Sequence, residues 1–156
     1  MTYRIRGLDP EPFAGLFDLD DDALAAINAR RVTATADHGF PCRISLENAS
    51  AGEDLILLHH TSHDVATPYR SAYAIFVRRD VPAASYHDAT PSVFDDRVIA
   101  MRAFDANGLL QDTRLAGAGE SDDAIRDLFA DDRIAYIDAH NAAAGCFAAR
   151  IERDAA

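Results

Sequence analysis

The chain contains no lysine and no tryptophan, so all 15 of its basic residues are arginine. Without lysine, Schiff-base chemistry and a lysine general base are excluded. Cysteine is scarce as well: Cys42 and Cys146 stand far apart, with no CxxC and no zinc-finger spacing. They are expected to be free thiols rather than a redox pair. No run of about eighteen apolar residues occurs, so no transmembrane helix is expected. The opening "MTYRIRGLDPEPF" lacks the apolar stretch of a signal peptide, and a cytoplasmic location is the expectation. Positive charge is outnumbered, with 26 acidic residues leaving a net of −11. Such a surface repels phosphate backbones, which argues against a nucleic-acid partner. The glycines in "DANG", "SAGED" and "AGAGES" have neither GxGxxG nor P-loop spacing. They read as turns, and no cofactor is expected.

A length of 156 residues with 49% apolar content suits one domain spanning 1–156 with its own core. "YRIRGL" alternates Tyr3 and Ile5 with Arg4 and Arg6, which predicts a half-exposed strand. "LDPEPFAGLF" predicts a short helix with Asp9 as N-cap and Pro10 in the first turn. A second helix is expected in "DDDALAAIN", whose aspartates load the dipole-favoured first turn. "RRVTATAD", "DLILLHH" and "YAIFVRR" read as strands, and "DVPAASYHDATPSVFDDR" mostly as loop. Asn107-Gly108 signals a hairpin between "VIAMRAF" and "LLQDTRL". "SDDAIRDLFAD" predicts a helix capped by Ser121, with Ile125, Leu128 and Phe129 as its buried stripe. Strands dominate and the helices are few and short. The expected class is α+β, a mainly antiparallel sheet with hairpins.

The C-terminal "AYIDAHNAAAGCFAARIE" reads as a second hairpin, and its register decides its chemistry. A five-residue loop, Asn141 to Gly145, puts Ala139 beside Phe147, Ile137 across from Ala149 and Ala135 facing Ile151. That face is uniformly apolar. A four-residue loop would set Asp138 against Phe147 and mix the faces. The five-residue choice places His140 directly opposite Cys146, with Asp138 two residues back. An imidazole beside a thiol favours the thiolate, and a carboxylate can hold the imidazole's tautomer. The spacing therefore permits a relay of Cys146, His140 and Asp138 as catalytic residues. The competing reading makes Cys146 a small buried hydrophobe and His140 a hydrogen-bonded hairpin residue.

Other polar residues gather at strand ends. "LLHHTSHD" holds His59, His60, His63 and Asp64, a set whose chemistry suits zinc or iron. Adjacent His59 and His60 face opposite sides of a strand, so only His60 and His63 can converge. Those two would need His140, His87 or a further carboxylate. With no HExxH or comparable motif, no metal is expected. Arg43 in "FPCRISL" and Arg70 in "TPYRSAYAIF" each follow a proline turn into a strand. They can form a fork for a carboxylate or phosphate, or each can pair with one of the abundant aspartates.

"GFPCRISLENASAGEDLILL", "PYRSAYAIFVR" and "AYIDAHNAAAGCFAARIER", in this order and spacing, resemble a family of short bacterial proteins, domain of unknown function 1203. The resemblance runs from "YRIRGLDPEPF" to the end. It implies a bacterial, stand-alone, single-domain protein, and carries no activity or catalytic residue with it. Two functional expectations follow from the residues alone. In the first, Cys42, Arg43, His63, Arg70 and Asn141 line a pocket for a small, anionic molecule, with the Cys146, His140 and Asp138 thiol site beside it. In the second, the chain is a non-catalytic interaction module, homodimeric through an edge strand. Polar residues converging on one concave site favour the first; scattered polar residues and a flat apolar patch favour the second.

Overall fold

Alternation of apolar and polar residues builds the two central strands of the larger sheet. Ile137 and Ala139 alternate with Asp138 and His140 in β8 (Tyr136–Asn141). Ala149 and Ile151 alternate with Arg150 and Glu152 in β9 (Phe147–Arg153). The computed structural model describes residues 1–155. On the β9 side the sheet continues through β1 (Tyr3–Arg6) to β5 (Ser85–His87), and on the β8 side through β6 (Ile99–Phe104) to β7 (Leu110–Ala116). All the neighbours in this six-stranded sheet are antiparallel. A second, three-stranded antiparallel sheet is made of β2 (Ala29–Thr33), β3 (Asp54–His63) and β4 (Ser71–Arg78). With its short helices, the protein is α+β with mainly antiparallel sheet.

The one long helix, α3 (Ser121–Phe129), buries Ile125, Leu128 and Phe129. This stripe joins Tyr3, Ile5, Ile99, Met101, Ile137 and Ile151 in a single apolar cluster. The N-terminal helices α1 (Glu11–Ala14) and α2 (Asp21–Ala26) pack on the smaller sheet, where Phe13, Phe17 and Leu24 meet Ile44, Ile56 and Ile75. Asp20 caps α2 by accepting from the Ala23 amide at 2.8 Å. Gly7 crosses between the sheets so tightly that a Cβ there would lie 1.7 Å from the Ile44 carbonyl oxygen. Its amide donates to Ala84 O, and that of Leu8 donates to Arg43 O.

Three sequence expectations are corrected. Glu120, not Ser121, precedes the first turn of α3, and the Ser121 hydroxyl is buried without a partner. Within the expected loop after β4, Ser85–His87 forms a short edge strand on β1. The third correction is the register of the final hairpin. Ile137 faces Ile151, Ala139 faces Ala149, and a bulge then sets His140 opposite Phe147. Asn141 donates to Cys146 O, which closes a shorter turn. The pairing moved by two residues along most of the hairpin, so the apolar face survived. The one-residue bulge absorbed the rest, and Cys146 is not across from His140.

Candidate functional site

The face of β8 and β9 opposite α3 is polar, yet it is also buried, because the three-stranded sheet lies over it. Asp138, His140, His63 and Arg43 are 1–3% exposed there. Arg150 holds Asp138 through two guanidinium nitrogens at 2.7 and 3.0 Å, a bidentate ion pair. The Arg150 guanidinium also lies 4.4 Å from the centre of the Tyr136 ring. His63 Nδ1 must donate to Tyr69 O at 2.8 Å, since a carbonyl only accepts. Its Nε2 therefore accepts from the Tyr136 hydroxyl at 2.7 Å. By the same logic His140 Nδ1 donates to Gly145 O at 3.0 Å, which leaves the Nε2 lone pair without a partner among the described residues. Burial pushes the His140 imidazole below its ordinary value. Burial also pushes the Tyr136 phenol up.

Two clefts open beside this layer. The larger, about 730 Å³, is lined by Arg43, Tyr73, Arg97, Asn141 and Cys146 together with apolar Leu57, Phe76 and Val98. The smaller, about 330 Å³, is lined by Tyr69, Arg70, Arg102, Asp138 and His140. Tyr73 stands between them. Its ring meets His140 edge-on at 5.0 Å and its hydroxyl accepts from Arg102 at 2.9 Å.

Arg43 is the unusual group of the larger cleft. It sits on a tight turn after Pro41, where its amide donates to Phe76 O on the edge of β4. From there the side chain crosses to the other sheet, with Nε donating to Phe147 O at 2.7 Å and Nη1 to Pro41 O. Nη2 reaches the Cys146 sulfur at 3.1 Å. A guanidinium has five N–H donors; these three bonds leave one donor free on each terminal nitrogen. Among the described residues no carboxylate forms a salt bridge with Arg43, although it is only 3% exposed. Desolvation accordingly pulls its basicity down, opposed by the neighbouring Cys146 sulfur.

The sequence-selected residues thus divide. Arg43, Asn141 and Cys146 share the larger cleft, and Asn141 Nδ2 donates to the Cys146 sulfur at 3.4 Å. Cys42 lies beneath it, 1% exposed, its sulfur accepting from the amides of Ile44, Ser45 and Arg78 at 3.3–3.4 Å. It acts there as a peg for the turn that carries Arg43. Arg70 and Arg43 do not form one fork, because Arg70 belongs to the smaller cleft and pairs with Asp64 at 3.0 Å. Nor do Cys146, His140 and Asp138 form a chain of hydrogen bonds: the sulfur meets Arg43 and Asn141, the imidazole meets Gly145 O, and the carboxylate meets Arg150. Of the neighbouring histidines, His59 is exposed and His60 packs against Phe13 with ring centres 5.9 Å apart. Among the described residues no three His, Cys, Asp or Glu side chains converge as a metal would need. Arg97 and Tyr73 carry no motif signal of their own: Arg97 ends a stretch that reads as loop, and Tyr73 stands in one that reads as strand.

The family described as Protein of unknown function (DUF1203) matches residues 39–153. The chain belongs to the DUF1203 family. That match includes the Arg43 turn, β3, β4 and the whole C-terminal hairpin, and leaves out β1, β2 and the helices α1 and α2. No curated protein and no solved structure matches the chain. Among the described residues no helix is long and apolar enough to cross a membrane.

Proposed function

We propose that this DUF1203 protein binds a small organic anion in the larger cleft, with Arg43 as the receiving cation. The observation that carries the reading is the buried Arg43 side chain, which has no carboxylate partner among the described residues and keeps a free donor on each terminal nitrogen. A buried charge normally has a counter-ion. A carboxylate or similar anion entering the cleft would supply one in bidentate form. Leu57, Phe76 and Val98 favour a ligand with an apolar body. Arg97 at the rim adds a second guanidinium, whose charge is shared with the neighbouring Asp96 carboxylate at 3.8 Å while Asn48 accepts one of its donors at 2.9 Å.

Benzoate, an anion with an apolar ring, is the probe for calorimetric titration, with inorganic phosphate as the comparison. Saturable benzoate binding at about 1 mM or tighter, weakened in both Arg43→Met and Arg97→Gln, is the expected result. The Arg97 variant leaves the buried network intact, so it reports even if the Arg43 variant unfolds. Benzoate binding that is absent, or indifferent to Arg97, would remove the proposal.

A further inference from the structure

We infer that Cys146 is a peroxide-reactive thiol, reducing an organic hydroperoxide held in the same cleft. The inference rests on the cleft being a ligand site, and it assigns the chemistry of that site. Here two N–H donors, Arg43 Nη2 and Asn141 Nδ2, point at one partly exposed sulfur. Arg43, 3% exposed as a residue, still has donors to give beside that sulfur.

What is missing from the sulfur's surroundings narrows the reaction. Acyl transfer needs a base to take the nucleophile's proton and an acid to protonate the leaving group. The His140 ring, the best candidate for both, has its Nδ1 committed to Gly145 O and lines the other cleft. Displacement on a peroxide also needs the thiolate and a proton for the departing oxygen, but both transfers can pass through solvent in the open cleft without a side-chain base. The sulfur attacks the terminal peroxide oxygen, an S–O bond forms and the O–O bond breaks. The sulfur is oxidised by two electrons to the sulfenic acid, and the hydroperoxide is reduced to an alcohol. The proton lost from the thiol ends on the departing alkoxide, so thiol plus hydroperoxide gives sulfenic acid plus alcohol. The free Arg43 donors stand where they can hydrogen-bond to the peroxide oxygens and to the negative charge growing on the leaving one. The apolar wall of Leu57, Phe76 and Val98 takes the organic group.

The second cysteine is not arranged to continue the reaction. Cys42 is buried and its sulfur is occupied by three backbone amides. The product is therefore a sulfenic acid at position 146, and a small external thiol would be needed to return it to the thiol.

The test treats the reduced full chain with cumene hydroperoxide, traps sulfenic acid with dimedone, and maps both cysteines by mass over time. Native Cys146 should oxidise at least about tenfold faster than the same residue in the urea-unfolded chain, the effect of one charge-assisted contact in the transition state. Cys42 should stay unlabelled until the fold is lost. Asn141→Ala, at the half-buried end of β8, should slow the native reaction severalfold, and Arg43→Met should slow it more. A native rate at or below the unfolded one would overturn the inference. So would a Cys42–Cys146 disulfide as the first product. Benzoate binding without fast oxidation would leave the anion site standing and remove only the thiol chemistry.

Discussion

Both faces of the six-stranded sheet are covered, and the two covers are built from opposite materials. Toward α3 the sheet presents Tyr3, Ile5, Ile99, Met101, Ile137 and Ile151, all at most 1% exposed. Each such side chain contributes through area removed from water, about 1.5–3 kcal/mol for an Ile or Leu. Toward the three-stranded sheet the same strands present Asp138, His140, Arg150 and Tyr136, met by His63, Tyr73 and Arg43. Burial there costs free energy unless every charge and donor finds a partner. The apolar face can lose a methyl group and sag. The polar face is all-or-none at each pair, and it leaves donors unused on Arg43.

The largest expected effect breaks the polar face. Arg150→Ala strands the Asp138 carboxylate, 1% exposed, without its counter-charge. The loss should be about 3–5 kcal/mol, read from urea midpoints. Combining Arg150→Met with Asp138→Leu should recover most of it, because the pair's net worth is small. Failure of the double variant to recover would show that these charges are needed for the packing between the sheets. Next in size, Ile137→Ala on the apolar face should cost about 3 kcal/mol, and no second substitution is expected to restore it by matching charge.

The smallest effect is a pH dependence. His140 is held below its ordinary value by burial, so the folded state resists the proton that the unfolded state accepts. Its contribution is complete above the unfolded value of about 6.5 and falls as acid carries the pH down toward the depressed folded value. His140 should account for at most about 1.4 kcal/mol per pH unit of the loss there, beside the similarly depressed His60, and His140→Asn should flatten that slope. An unchanged slope would place the acid sensitivity elsewhere.

Local signals in the sequence were enough for much of the fold. The stripe of Ile125, Leu128 and Phe129 marks α3, Asn107-Gly108 marks its hairpin, and alternation marks β1 and β8. The bulge was invisible because Ala148 and Ala149 have the same hydropathy. A period of two leaves the apolar face unchanged when strands slide by two residues. β5 was hidden for another reason: its three residues are held by pairing with β1, with no pattern of their own. At the candidate site, Arg43, Asn141 and Cys146 could each be picked out as chemically capable. Their meeting depends on a contact spanning 103 residues between two sheets, which no local pattern encodes. Arg97 carried no mark at all.

Gly7 has a bearing beyond its own backbone. The Cβ that any other residue would bring meets the Ile44 carbonyl, one residue past Arg43, and the next amide along is bonded to Arg43 itself. The crossing that rivets the first strand to the second sheet therefore also sets the height of the buried cation. Any side chain at position 7 would have to push the Ile44 carbonyl aside, and the turn that carries Arg43 would move with it.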